Sequence, residues 1–371
     1  MNRRDFLKAG AVGGLLYAAP GRRMRRARAV QATTVGFAPS PIPGDNTQAL
    51  LDYFASVPDG SVVRFPVGAE YQVDGSLILT GRNNLTVYQN GATFFTDITG
   101  PLDNRGLSSR LHVRLNTCTN ITWHGLRIRG PNPAAQYDPA YEFERGISLG
   151  GSTGVSLIEP VISNVYGDFL STNRSTDILV GGGTFDTCGR QGVGMSGGET
   201  GVEVRDCSFS GMGRSCFDLE PNQPDKIPNG VRFYRNTIAN FKNEWLAMAN
   251  GVQKNDIYAG YNRLVGRTLL ATLGLGGTSG ARVTNLIVEY NTSDSLFPVV
   301  GREEPKNPLF HAKNADGVTV RGNYQAWAQP ANASTNCLKV TDSSVVLAGD
   351  NSFVGVAQRV PAEYDDGGNI Y

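Results

Sequence analysis

Short runs of alternating apolar and polar residues recur along most of this chain, and each run follows an asparagine, an aspartate or a glycine. Examples are TGVSLIEPVISNV, TDILVGGGTFDTC, TGVEVRDCSFSGM, NGVRFYRNTIANF and KNDIYAGYNRLVG. The apolar positions step by two rather than by three and four, which is typical of strands rather than of helices. The pattern therefore predicts many short strands separated by turns.

These runs align with one another as repeats. The central repeats place four apolar residues in one column: Ile178, Val202, Val231 and Ile257. One unit of this length cannot bury its apolar side alone, but stacking at the strand spacing of about 4.8 Å gives each apolar residue a counterpart above and below. The sequence therefore predicts a solenoid of parallel sheets.

Asparagine tolerates left-handed backbone angles, and three asparagines in similar places, Asn164, Asn240 and Asn262, are the predicted turn residues. A β-propeller has repeats of similar length, but its blades need about four antiparallel strands joined by hairpins. NG and DG turns between alternating strands are sparse here. The solenoid is the better interpretation.

In these repeats the chain resembles the right-handed parallel β-helix proteins of the pectate-lyase-like superfamily. Residues 44–81, GDNTQALLDYFASVPDGSVVRFPVGAEYQVDGSLILTG, are similar to its N-terminal cap, in which a short amphipathic helix precedes the first coil. The resemblance covers roughly residues 40–356. It implies an all-β fold, a single-stranded right-handed parallel β-helix with a short N-terminal capping helix. It also implies a sugar-polymer groove on an outer sheet and its flanking loops.

The first residues are typical of an export signal. NRRDFLKAG resembles a twin-arginine signal, the apolar stretch AVGGLLYAAP follows it, and a second basic cluster precedes VQA. We expect a signal peptide over residues 1–32, a parallel β-helix domain over 33–356 and a C-terminal tail or cap over 357–371. The mature protein is expected to be secreted or held in the cell envelope.

The charge of the mature chain narrows the choice of partners. Residues 1–32 hold eight basic residues and one acidic residue, so the totals of 34 and 33 become 26 basic and 32 acidic, a net charge of −6. A mildly acidic protein is not expected to bind nucleic acid. No run approaches the roughly 20 apolar residues of a membrane span. The 40% of hydrophobic residues suffices for a sizeable core.

Five cysteines are irregularly spaced and include no CxxC pair, so they do not indicate zinc or redox chemistry. Cargo of the twin-arginine route usually folds in the reducing cytosol. Most of these cysteines are therefore expected to be small buried apolar residues, although a late disulfide stays open.

The stretch GRSCFDLEPNQPD, residues 213–225, places two acids around one leucine. On a strand, Leu219 would point into the core, and Asp218 and Glu220 would share the outer face. The repeat alignment puts Asp218 between Gly194 and Ala247, so the sequence predicts an exposed acid above small residues.

The same alignment puts Glu220 between Ser196 and Ala249. Glycoside cleavage needs one protonated acid and one ionised carboxylate, and the like charge of a neighbour raises one of two pKa values. The stems of Asp218 and Glu220 should be about 6.5–7 Å apart, which leans towards inversion of the sugar. These two acids are the candidate catalytic pair. The alternative is a solvated surface ladder in which Asp218 pairs with an arginine.

Neighbouring columns contain more polar residues. Arg190 and Arg214 share one column, and Asp168, Gln191 and Glu244 share the next. All five are predicted to bind the substrate or to set the pKa values of the pair. No dedicated calcium loop occurs and no metal is predicted. A calcium site between coils, with Asp168 and Asp186 as ligands, stays open.

The leading hypothesis is an exported glycoside hydrolase acting on a polysaccharide or oligosaccharide of little charge. The first alternative is a polysaccharide lyase, with Arg190, Arg214 or a lysine as the base and a uronate as substrate. The second is a non-catalytic carbohydrate-binding solenoid at the cell surface. The Pro-rich segment EPNQPDKIPNG, residues 220–230, would wall the groove. The oligomeric state is open, and trimers are one option.

Overall fold

A computed structural model describes residues 33–248, 252–266, 271–272, 282–293, 309–325, 337–353 and 360–370. Within these ranges almost all regular structure is β-strand, arranged in three parallel sheets that the chain visits in turn. The predicted signal peptide lies outside the described residues. No helix in the described part of the chain is both long and apolar enough to cross a membrane.

Each sheet takes at most one strand from each coil of the described solenoid. Sheet 1 contains Thr33–Phe37, Ser61–Arg64, Thr86–Tyr88, Thr119–His124, Thr153–Ile158, Thr176–Gly181, Thr200–Arg205, Asn229–Tyr234, Lys254–Gly260, Val283–Glu289, Ala315–Arg321, Ser344–Gly349 and Asp365–Gly367. Sheet 2 contains Glu70–Gln72, Thr93–Phe95, Arg127–Arg129, Val161–Val165, Thr184–Cys188, Ser208–Met212, Thr237–Ala239, Arg263–Val265, Thr292–Ser293, Tyr324–Gln325 and Ser352–Phe353. Sheet 3 contains Leu77–Thr80, Leu111–Asn116, Arg145–Gly150, Leu170–Asn173, Val193–Met195, Phe217–Leu219, Leu246–Met248, Ala271–Thr272, Phe310–Lys313 and Leu338–Thr341.

The fold is the predicted right-handed parallel β-helix. The predicted column is confirmed, since Ile178 lies opposite Val202 and Val231 lies opposite Ile257. On sheet 3, Phe217 pairs with Val193 on one side and with Leu246 on the other. These inward residues are fully buried, so each coil seals the core of the next.

A helix closes the N-terminal end of the described solenoid, as predicted. It spans Thr47–Ser56 and buries Leu50 and Phe54. The ring of Phe54 lies 5.9 Å from that of Trp123, which is buried in the core. Two short 3-10 helices, Pro139–Tyr141 and Ala362–Tyr364, complete the helical structure in the described ranges.

The predicted turn residues fall into two classes. Asn164 and Asn240 have φ angles of 58° and 52°, which confirms them as left-handed turn positions. The prediction is wrong for Asn262, which is fully buried and lies in a ladder of stacked asparagine side chains. The ladder runs through Asn236, Asn262, Asn291, Asn323, Asn351 and Asn369. Each side chain hydrogen-bonds the next at 2.9–3.0 Å.

The described residues near the C-terminus continue the same stacking. The strand Asp365–Gly367 pairs with Ser344–Gly349, and Asn369 accepts hydrogen bonds from Asn351. Residues 365–369 therefore add to the last coil of sheet 1 and to the asparagine ladder.

Candidate active site

The predicted acids lie on the outer side of sheet 3, in the predicted register. Asp218 pairs with Gly194 on one side and Ala247 on the other. Phe217 and Leu219 on either side of it belong to the core. Glu220 directly follows the strand, and its backbone N–H donates to the carbonyl of Met195 at 2.8 Å. Ala249, the predicted neighbour of Glu220, lies outside the described residues.

The expectation that both acids are exposed is wrong for Asp218, which is 4% exposed. The cause is Gly194. A Cβ atom there would lie 2.8 Å from Oδ2 of Asp168 and 2.9 Å from Oε1 of Gln191, so these side chains fill the space that the small residue leaves. Nε2 of Gln191 donates a hydrogen bond to Oδ2 of Asp218. The carboxyl group is therefore covered by its neighbours.

Burial gives Asp218 an unusual proton affinity. Burial, and after it the negative charge of Glu220, raise the pKa of Asp218 well above its ordinary value of 3.8. Its Oδ1 atom is buried and has no hydrogen-bond partner in the described part of the chain. A buried carboxyl group with so few donors is stable in its neutral form.

Arg190 joins the predicted residues into one network. Its Nη1 lies 3.0 Å from Oδ1 of Asp168 and 2.7 Å from Oε1 of Gln191. Its Nη2 donates to Oε2 of Glu220 at 2.6 Å. The surface-ladder alternative expected an arginine on Asp218, but Arg190 binds Glu220 instead. The arginine thus orients Glu220, whereas Asp218 is hydrogen-bonded by Gln191.

Arg190 is firmly protonated. Burial disfavours the charged guanidinium, but the carboxylates of Asp168 and Glu220 outweigh burial and raise the pKa of Arg190 above its ordinary value of 12.5. An arginine in this state holds carboxylates in place and is a poor proton acceptor.

A pocket of about 180 Å³ opens beside this network. Its lining residues are Phe143, Arg145, Asp168, Arg190, Gly194, Met195, Ser196, Glu220 and Asn222. Glu220 is the member of the candidate pair that lines it, with 25% of its side chain exposed. The pocket can hold part of a small polar ligand, such as a sugar, beside two carboxylates and two guanidinium groups.

Two of the predicted binding residues, Arg214 and Glu244, lie on later coils than Arg190 and do not line the pocket. The guanidinium group of Arg214 lies over the ring of Tyr137, 5.2 Å from its centroid. Glu244 accepts a hydrogen bond of 3.3 Å from the hydroxyl group of Ser215. Both residues stack in the predicted columns, and the side chain of each contacts another residue of the protein.

Sequence reasoning missed the residues that the segment 131–145 brings to the site. Oε2 of Glu142 lies 3.7 Å from Nε of Arg190 and accepts a hydrogen bond of 2.7 Å from Tyr137. Nε of Arg145 lies 3.5 Å from Oδ2 of Asp168. The signal in the sequence is a long connection between strands of sheets 2 and 3 that is rich in aromatic and charged residues.

The open question of a calcium site has a partial answer. Asp168 is saturated by Arg190, Arg145 and the backbone N–H of Gln191. Asp186 is exposed on sheet 2. Among the described residues there is no group of three or more His, Cys, Asp or Glu side chains that could hold a metal ion.

Comparison with solved structures identifies the fold. Endo-xylogalacturonan hydrolase from Aspergillus tubingensis is similar with a TM-score of 0.60 at 14% identity, covering 91% of this chain and 100% of that chain. PfbA, a surface adhesin of Streptococcus pneumoniae, has a TM-score of 0.58 at 12% identity, covering 92% and 93%.

A mutant tailspike protein of E. coli bacteriophage HK620, solved in complex with pentasaccharide, has a TM-score of 0.59 at 12% identity and covers 89% of this chain and 64% of that chain. No protein-family model matches the sequence, and neither does any curated protein. These likenesses show that the chain has the parallel β-helix fold that a hydrolase, an adhesin and a tailspike protein share.

Proposed function

We propose that this protein is a carbohydrate-active enzyme, a glycoside hydrolase that cleaves a polysaccharide or oligosaccharide with Asp218 and Glu220. One observation carries the proposal: the two carboxyl groups are close in sequence but have opposite environments. Asp218 is buried and has a raised pKa, whereas Glu220 reaches the pocket as the ion-pair partner of Arg190. A neutral acid beside an ionised carboxylate is what glycoside cleavage requires.

Asp218 supplies the proton in this proposal. Its neutral carboxyl group protonates the oxygen of the scissile glycosidic bond as that bond breaks. In this proposal the side chain of Gln191, which donates a hydrogen bond to Oδ2 of Asp218, moves aside so that the sugar reaches the acid. Gln191 is therefore the residue whose movement admits the substrate to the acid.

Glu220 is the second carboxylate. It either takes a proton from the attacking water or attacks the anomeric carbon itself. The 2.6 Å bond from Arg190 holds it in one orientation. Stems two residues apart on one face of a strand are about 6.5–7 Å apart, which favours a water between carboxylate and sugar, and hence inversion.

The comparisons support a sugar polymer as the substrate class, because proteins named as a xylogalacturonan hydrolase and as a pentasaccharide-bound tailspike share the fold. A common fold does not choose the reaction. The raised pKa of Arg190 makes it a poor base, which counts against the lyase alternative for Arg190 itself. The alternative of a non-catalytic, carbohydrate-binding surface protein is supported by the structural likeness to an adhesin.

The test is a panel of neutral and uronate-containing glycans incubated with the purified protein. Reducing ends without an ultraviolet-absorbing unsaturated product indicate hydrolysis, and the unsaturated product indicates elimination. Asp218→Asn and Glu220→Gln should each lower the rate by about 10²–10⁴-fold, the usual share of an acid or base group.

Asp186→Asn is the matched control, because it neutralises an exposed carboxylate on sheet 2. It should keep full activity, and circular dichroism should show that all three variants fold. Full activity in either site variant would contradict the assignment of the pair. Binding of a glycan without any cleavage would favour the surface binder.

A further inference from the structure

The Pro-rich segment 221–228 joins sheet 3 to sheet 1 and brings Asn222 to the pocket. Lys226 belongs to the same segment, and its ammonium group donates a hydrogen bond of 3.2 Å to Oδ1 of Asn222. Lys226 is only 7% exposed, although it lies on a connection between strands. Lysine side chains on loops ordinarily extend into solvent and are rarely buried unless they have a partner.

A buried acid, which carries a negative charge when it is ionised, lies close to this ammonium group. Glu199 is fully buried, and its Oε1 accepts hydrogen bonds of 3.1 Å from Thr172 and from the backbone N–H of Gly197. Its Oε2 has no hydrogen-bond partner in the described part of the chain. Burial raises the pKa of Glu199 to about 7, and the charge of Lys226 acts in the opposite direction. The two groups attract each other without forming a direct ion pair.

Packing supports the same arrangement independently. The segment lies so close to Gly197 that a Cβ atom there would be 2.6 Å from Cβ of Pro221 and 2.7 Å from Cβ of Lys226. Gly197 also has a φ angle of 106°, which side chains rarely adopt. The backbone that donates to Glu199 is thus the surface on which the segment rests.

We propose that Lys226 and Glu199 are positioning residues that hold Asn222 at the pocket, where its amide hydrogen-bonds hydroxyl groups of the sugar bound beside Glu220. The inference rests on the proposed function for the identity of the ligand. Glu199 makes the burial of Lys226 favourable, and Lys226 orients Asn222. A buried ammonium is stable only where an opposite charge compensates for its lost hydration.

The experiment compares Lys226→Met, Glu199→Gln and the double variant with the unchanged chain. Hydrogen exchange of residues 221–228, followed by mass spectrometry, should become at least about tenfold faster in each single variant, since the segment loses its attachment. The double variant should be no worse than Lys226→Met alone, because partners in one contact are not additive.

The control is Arg174→Ala. Arg174 contacts the same segment from the solvent side, through Gln223 at 3.2 Å and Asp225 at 3.4 Å. An exposed ion pair contributes little to stability, so hydrogen exchange of the segment should stay unchanged in this variant. Unchanged exchange in Lys226→Met and Glu199→Gln, or additive effects in the double variant, would overturn the proposal.

With a glycan that the protein cleaves, KM should rise about tenfold in Lys226→Met and Glu199→Gln while kcat changes less than about twofold, because Asn222 binds sugar and does no chemistry. A loss confined to kcat would also overturn the inference. If no glycan is cleaved, the proposed function fails, and the exchange experiment decides separately whether the two residues hold the segment.

Discussion

At the residue scale, the candidate site depends on one glycine. The register that places Asp218 beside Gly194 was predictable, because the apolar residues on either side repeat in every coil. Its burial was not. Because Gly194 has no side chain, the side chains of Asp168 and Gln191 can lie over the sheet. Asp168 belongs to one coil and Gln191 to the next. The altered pKa of Asp218 therefore follows from packing that a linear sequence does not display.

Glu199 gives a pH-dependent prediction at the same scale. Its pKa is raised by burial from 4.5 to about 7, so the folded chain binds this proton more tightly than the unfolded chain. The stabilising effect is complete below about pH 4.5 and is lost as the pH rises through about 7. A shift of this size corresponds to about 3 kcal/mol.

Glu199→Gln should therefore raise the free energy of unfolding at pH 8 but leave it nearly unchanged at pH 4, measured by urea unfolding at both pH values. The control is Glu363→Gln, which replaces an exposed glutamate and should change little. An equal effect of Glu199→Gln at both pH values would contradict the prediction. The same variant should loosen segment 221–228, so local and global stability should move in opposite directions.

At the element scale, the residue before each apolar run has a defined conformation. The stacked positions that open successive strands of sheet 1 all have positive φ angles: Asn120, Gly154, Asp177, Gly201, Gly230, Asp256, Asn285 and Gly317. Left-handed backbone is inexpensive for glycine and tolerable for asparagine and aspartate. This is why the sequence repeats these residue types at the start of each run, and why the repeat was recognisable.

The asparagine ladder was not recognised, because its members look like turn asparagines in the sequence. Asn291 accepts hydrogen bonds of 2.9 Å from the backbone N–H and the side chain of Asn262. It donates bonds of 3.0 Å to the carbonyl of Ala259 and to Asn323. Every one of these groups is buried, so none can turn to water instead.

Asn291→Ala should therefore lower the free energy of unfolding by about 3 kcal/mol, because it leaves several buried groups without partners. Asn369→Ala, at the end of the ladder and partly solvated, should cost only about 1 kcal/mol. Urea unfolding of both variants measures the difference. Equal costs would show that stacking along the ladder adds nothing to its stability.

At the scale of the whole molecule, the solenoid stabilises itself by stacking rather than by cross-links. All five cysteines lie within the described ranges, all are buried, and no disulfide joins any two of them. Burial raises the pKa of each thiol, among them Cys188 and Cys216 in the core behind the site. The sequence left a late disulfide open, and the structure contains none.

A chromogenic thiol reagent should therefore find five thiols in the unfolded chain without any reductant, while the folded protein reacts slowly. The thiolate is the reactive form, and burial suppresses both access and ionisation. Three thiols in the unreduced, unfolded chain would reveal a disulfide and contradict the prediction. Melting curves with and without reductant should coincide for the same reason.

The predicted export and the predicted domain bounds await experiment. We propose that residues 1–32 direct export by the twin-arginine route, on the basis of the paired arginines in NRRDFLKAG. The domain bounds of 33–356 and 357–371 likewise stay predictions, and the oligomeric state stays open. Replacing Arg3 and Arg4 by lysine in the producing cell would test export, by comparing the protein inside and outside the cytoplasm.

The sequence by itself determined the fold and the register of the site. Stacked coils require equivalent residues at equivalent places, so periodicity alone indicates which side chains point inward and which acids point outward. The tertiary structure decided what those acids experience: Arg190 binds Glu220, Gln191 covers Asp218, and segment 131–145 adds Glu142. Such contacts join residues from different coils and insertions, and neither burial nor proton affinity follows a repeat.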